Sequence, residues 1–178
     1  MSVRAIHLLG SPVLRERSPE VGEVTDATRA LIADMFETMD VARGVGLAAN
    51  QVGVAQRVAV IDADGERFAM VDPVIVAAEG KATAEEGCLS IPEHYGDVTR
   101  PAHIVLEALD AEGRRFRKQA SGLVARAIQH EIDHLDGILF IDHLGPLKRQ
   151  RILSKWKKER KGATGHTRMP EPENAERA

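Results

Sequence analysis

The chain has 178 residues, of which 43% are hydrophobic and 29% charged, the composition of one globular domain and not of a disordered or fibrous chain. No apolar run approaches the ~20 residues needed to cross a bilayer, the N-terminal segment lacks the apolar core and cleavage site of a secretion signal, and the single cysteine excludes an internal disulfide. These features suit a reducing cytosol and exclude membrane spans and disulfide scaffolds, while a net charge of −3 points to no partner.

The first clear element is a helix that Thr25 or Asp26 can cap, with Leu31, Met35 and Met39 recurring at every fourth position and Gly44 at its end. The small-residue stretch Gly44-Val45-Gly46-Leu47-Ala48-Ala49-Asn50-Gln51 follows. It lacks the ending of a phosphate-binding loop, so nucleotide binding is not expected. Such residues either pack tightly or let a backbone approach a ligand, and Gln51 then offers an amide donor to an oxyanion. Short β-like runs cover 57–62, 68–72, 74–77 and 104–109, with turns at Asp64-Gly65 and Glu112-Gly113. The only cysteine, Cys88, stands between these runs in Glu86-Gly87-Cys88-Leu89-Ser90.

A second helix is predicted over 122–136, with Ser121 as a cap and Gly137 just past its end. A third, at 148–161, carries eight Lys or Arg and one acid, Glu159. Ile152, Leu153 and Trp156 give it an apolar stripe, and its local charge of +7 leaves −10 on the rest of the chain. Residues 162–178 contain almost nothing apolar and are expected to be a disordered polar tail beyond a single domain over 1–161. Helices flank a run of strands here and do not alternate with them. The expected fold class is therefore α+β, with mostly antiparallel sheets packed around the helix over 122–136.

That helix carries His130-Glu131-Ile132-Asp133-His134. Residues four apart lie on one helical face with Cβ atoms ~5–6 Å apart, so two imidazoles can reach one metal ion. Glu131, about 100° round the helix, falls where a general base for an activated water belongs. A catalytic divalent site usually has a third protein ligand. The position at which one common extension of this motif places a third histidine is Phe140, and the only acid in the following helix is Glu159, so neither familiar peptidase pattern is completed. Cys88 would give a sulfur–nitrogen–nitrogen set, and His143, His103, His94 and His7 compete with it on spacing alone. Two rival readings remain at this point: a metal-dependent peptidase, and a non-catalytic ribosome-associated protein with a structural metal.

Together, GVGLAANQ at 44–51, EGCLS at 86–90 and QHEIDHL at 129–135 resemble the three motifs of the peptide deformylases, in the same order and spacing, and the likeness runs from about residue 6 to 160. The resemblance implies removal of the formyl group from the initiator methionine of nascent chains in the bacterial cytoplasm. It implies Cys88, His130 and His134 as ligands of one divalent metal, Fe(II) in the cell with Zn, Ni or Co as substitutes. Glu131 would then handle the proton of the attacking water, and Gln51 with the Leu89 backbone N–H would hold the oxyanion. Gly46 would pair with the substrate backbone, and Val45, Leu123 and Ala127 would help line the methionine pocket. The family's C-terminal helix docks on ribosomal RNA, which implies the same partner for residues 148–161.

Overall fold

Alternation along one strand organises the molecule. A computed structural model describes residues 1–172. In it, the elements in chain order are β1 (Ile6–His7), α1 (Asp26–Ala42), β2 (Gly46–Ala48), β3 (Val58–Ala63), β4 (Glu66–Glu79), β5 (Ala82–Cys88), β6 (Ile91–Arg100), β7 (His103–Leu109), β8 (Arg115–Ser121), α2 (Gly122–Leu135), α3 (Pro146–Glu159) and β9 (Thr167–Arg168). On β3, Ala59, Ile61 and Ala63 point to α2 and pack with Ile128 and Leu135, whereas Val58 and Val60 point to α1 and pack with Leu31, Met35 and Met39. Successive strand residues face opposite sides, so β3 serves two cores at once. The five-stranded sheet, in order β2-β3-β4-β7-β8, thus has α1 on one face and α2 on the other. The hairpin β5-β6 forms a separate two-stranded sheet on the far side of α2, making α2 the central helix. Every strand pairing is antiparallel, as the element order implies. No helix among the described residues is long and apolar enough to cross a membrane.

The helices start at or near their expected positions, but Ser121, expected to cap α2, stands at its N-cap position without a side-chain hydrogen bond. Thr25 caps α1 through a reciprocal pair with Thr28: each side chain accepts from the other's backbone N–H, at 3.2 and 3.4 Å. At the other end Arg43, not Gly44, takes the left-handed conformation (φ 56°). At Gly44 an added Cβ would lie 2.8 Å from Leu89 Cδ1, the end of a side chain that can turn aside. Pro146 opens α3, which runs two residues earlier at each end than the expected 148–161.

Three expectations are corrected. The separate runs at 68–72 and 74–77 are one strand, β4, whose pairing with β7 is interrupted between Val71 and Val74 because Pro73 has no N–H to donate. The strands β5, β6 and β8 lie where no strand was expected. In β8 exposed and half-buried residues alternate along Arg115-Phe116-Arg117-Lys118-Gln119, an edge strand protected by charge. The tail is ordered in part: Thr167 and Arg168 pair with His7 and Ile6, and the Leu8 N–H donates to the His166 carbonyl at 2.7 Å. Backbone pairing needs no apolar side chain, so composition did not reveal it. Of the expected disordered tail, 173–178 lie outside the described residues.

Candidate metal centre

The helix α2 and the end of β5 build the site. His130 and His134 project from one face of α2 with their Nε2 atoms 3.2 Å apart, and Cys88 Sγ lies 3.2 Å from His134 Nε2. The three donor atoms all fall within 4.8 Å of one another, the one such trio found among the described residues. Three of the four competing histidines point elsewhere, His143 to Asp133, His94 to Glu159 and His7 to Ser11, at 2.8, 2.8 and 2.7 Å, and the fourth, His103, is exposed at the start of β7.

The donor set fits a divalent transition metal. Thiolate sulfur and imidazole nitrogen are the ligands such ions favour. Burial lowers the affinity of His130 for a proton, but hydrogen bonds to Cys88 and Glu86 with the nearby Glu131 charge outweigh it and hold His130 well above its usual range. Burial, with the neighbouring His130 and Arg100 charges, holds His134 well below that range, so it is a neutral lone-pair donor.

A polar network behind the trio went unassigned at the sequence level. Glu86 Oε1 accepts from His130 Nδ1 at 2.9 Å, fixing which ring nitrogen faces the centre. The same carboxylate accepts from Arg100 Nε and Nη2 at 2.6 and 2.9 Å and from Arg126 Nη1 at 2.6 Å. Burial pushes the Glu86 carboxyl up, but the His130 and Arg100 hydrogen bonds dominate and hold it well below the ordinary carboxylate range. Arg100 also donates to Asp133 at 2.8 Å, tying the motif's middle residue into the same cluster. The signal was present in the acid two positions before Cys88. Its partner Arg100 could be found only through the β5-β6 hairpin, whose register brings the two strands together.

Glu131 is 4% exposed, and its Oε2 has no hydrogen-bond partner among the described residues. Burial pushes its carboxyl up to about 7, where a carboxyl can both take and give a proton near neutral pH. It lies against β2: a Cβ on Gly46 would come 2.6 Å from Glu131 Oε1, so only glycine fits. Gln51 is fixed from both sides of its amide. Its Oε1 accepts from the Ala48 N–H at 2.9 Å, and its Nε2 donates to Ser90 Oγ at 3.0 Å and points toward Cys88 Sγ at 3.7 Å. A cleft of about 520 Å³ opens over this arrangement. Gln51, Cys88, Leu89, His130 and Glu131 face it, while His134 is sealed behind them. Val45, Gly46, Leu123 and Ala127 also line it, with Val45 and Leu123 exposed and Ala127 buried. The structure therefore gathers every sequence-predicted site residue at one cleft.

The sequence model described as polypeptide deformylase matches residues 3–150. A peptide deformylase from Alkalilimnicola ehrlichii is 50% identical over 162 residues, covering 89% of this chain and 91% of that protein. One from Phenylobacterium zucineum is 46% identical over 169 residues, covering 92% of this chain and 100% of that protein. Among solved structures, a peptide deformylase from Legionella pneumophila superposes with a TM-score of 0.86 at 43% identity, covering 90% of this chain and 96% of that one. The peptide deformylase of Ehrlichia chaffeensis in complex with actinonin does so at 0.85 and 38% identity, covering 89% and 98%.

Proposed function

The chain belongs to the polypeptide deformylase family, and from that premise we propose that it hydrolyses the N-formyl group of N-formylmethionyl nascent peptides in the bacterial cytoplasm, releasing formate. It is a metalloenzyme by family, and the residues that would hold the ion are Cys88, His130 and His134. We assign Fe(II) as the ion in the cell, with Zn, Ni or Co able to replace it. When bound, the ion supplies Lewis acidity, making water nucleophilic near neutral pH.

The chain's own groups do the rest. Glu131 takes the proton of the attacking water and passes it to the departing amine, and its burial beside Gly46 holds the carboxylate at the floor of the cleft. The Gln51 amide, locked by Ala48 and Ser90, points its N–H toward the centre, and with the Leu89 N–H it stabilises the oxygen on which charge develops. The strand β2 pairs with β3 on one side only, so its other edge at Gly46 can receive a peptide as an added strand. Val45, Leu123 and Ala127 supply apolar surface for the methionine side chain. The exposed cations of α3 suit phosphate contact, and we assign that face to ribosomal RNA.

The observation that carries this reading is the unpartnered, buried Glu131 carboxylate beside a trio of metal-type donors at a cleft floor. A purely structural ion would normally be closed by four protein ligands and would need no such carboxylate. The test is formate release from formyl-Met-Ala-Ser by protein loaded with Fe(II) under anaerobic conditions. Glu131→Gln should keep its metal and lose about 10²–10⁴-fold in kcat, the usual contribution of a positioned acid–base group. Full activity in that variant would remove Glu131 from the chemistry, and cleavage of the Met–Ala bond instead of formate release would make the protein a peptidase.

A further inference from the structure

Two residues singled out in the sequence found no place in the mechanism: Glu159, the lone acid of the basic helix, and His94, one of the histidines that competed with Cys88 on spacing. The structure joins them. His94 is buried on β6, and its Nε2 donates to Glu159 Oε2 at 2.8 Å. One turn earlier on α3, the Trp156 ring packs edge-on against the His94 ring at 6.0 Å. Trp156 Nε1 also donates to the Leu9 carbonyl at 3.3 Å, and the Leu9 N–H donates to the Ser90 carbonyl at 2.9 Å, two residues past Cys88.

The segment that His94 anchors is under constraint. Glu93 has φ 66°, a left-handed conformation that a non-glycine residue keeps only where its surroundings hold it. Tyr95 is 58% exposed, yet its ring lies over Gly87, where a Cβ would come 2.7 Å from it, immediately before the ligand Cys88. Pro92, Glu93, His94 and Tyr95 line the same cleft as His130 and Glu131. The corner is thus a wall of that cleft, strained at Glu93 and resting on Gly87, and its buried attachment is His94.

We propose that Glu159 is a positioning residue: through His94 it holds the Glu93–Tyr95 corner as a wall of the peptide cleft. The inference rests on the deformylase reading, and it adds a residue beyond the 3–150 span of the family match. Removing the Glu159 carboxylate frees His94, lets Glu93 relax and lets Tyr95 lift from Gly87. The peptide then loses a wall, while Glu131 and the two ligand histidines stay fixed on α2 by the separate Glu86 network. The chain therefore loses substrate binding and keeps its chemistry.

The experiment compares Glu159→Ala and Glu159→Gln with wild type in the metal-loaded full chain. For formyl-Met-Ala-Ser, Glu159→Ala should raise KM about fivefold with kcat within about twofold, the loss expected for one intramolecular hydrogen bond of ordinary strength. Glu159→Gln keeps an acceptor for His94 and should fall between the two. Amide hydrogen exchange should quicken over 91–97 in Glu159→Ala and stay unchanged over α2. Unaltered KM overturns the proposal, as does a parallel fall of kcat with exchange quickening throughout the protein, which would mark general destabilisation. A wild type that releases no formate sinks the deformylase reading alone, because the exchange measurement still decides whether Glu159 holds the corner.

Discussion

Replacing Glu86 by glutamine should cost the fold about 3 kcal/mol and loosen the metal centre. The carboxylate accepts four hydrogen bonds, two from Arg100 and one each from Arg126 and His130. Glutamine offers one oxygen and one NH2, so part of this set becomes donor facing donor, and two nearly buried guanidiniums lose their shared counter-charge. Breaking one partner of a buried pair destabilises by about 3–5 kcal/mol. The low end applies because Arg100 keeps Asp133, and Arg126 keeps the carbonyls of Val98 and Ala82. Against a total of about 5–15 kcal/mol, the variant should still fold. Urea unfolding of both proteins stripped of metal isolates this effect from ion binding. With metal restored, the dissociation constant should rise about 10–100-fold, since His130 loses the acceptor that orients its ring. The pH dependence carries the same signature. A carboxyl held low in the folded state stabilises fully above its ordinary value of 4.5, and that contribution drains away as pH falls from there toward the folded value. Wild type should therefore lose stability below about pH 4.5 more steeply than Glu86→Gln. A variant within about 1 kcal/mol of wild type at pH 7, with the same acid limb, would refute the role given to this carboxylate.

Other outcomes follow from single side chains and from one charged face. Gly46→Ala places a methyl group 2.6 Å from Glu131 Oε1, so the carboxylate or β2 must move. Formate release should drop about 10²-fold, the effect of misplacing a catalytic group by about 1 Å, with stability lowered by about 1–3 kcal/mol; a fully active Gly46→Ala enzyme would contradict that close approach. On α3, changing exposed Lys148, Arg151, Lys155 and Lys158 to glutamine should weaken ribosome co-sedimentation and flatten its salt dependence by about one unit of log–log slope for each phosphate no longer neutralised. Binding that is unchanged in strength and slope would mean that this face meets solvent only.

How much of this could be read from sequence depended on whether a feature was local. The helix α1 announces itself through Thr25 and the Leu31–Met35–Met39 stripe, and α2 through Ser121 before it and Gly137 past its end, because such signals act within a few residues. The residues of the site were legible as motifs, yet spacing left five candidates for the third ligand. Only the family resemblance chose Cys88, and the fold shows why spacing could not: the cysteine arrives on a different element from the histidines. The strands β5 and β8 were missed because Ala82–Cys88 and Arg115–Ser121 carry charge where a buried strand would carry Val or Ile, their pairing being made by backbone at an exposed edge. The Glu86–Arg100 and His94–Glu159 pairs were invisible for a related reason. Each joins two segments whose proximity is a property of the assembled hairpin and helix, and nothing in either segment alone calls for the other.

The pairing of β1 with β9 also sets an order of assembly. Ile6 leaves the ribosome well ahead of Arg168, so β1 waits unpaired while every element between the two strands is made. Distance along the chain costs little at equilibrium, only about 0.6 kcal/mol for each doubling of a loop, but pairings this remote in sequence form late. The Leu9 bond to Ser90 sits on that same waiting segment, beside the cysteine corner. The strand that closes the edge beside Cys88 is therefore made after every residue of the candidate site, and a chain halted before residue 168 would carry that whole site on a cleft with one side unlatched.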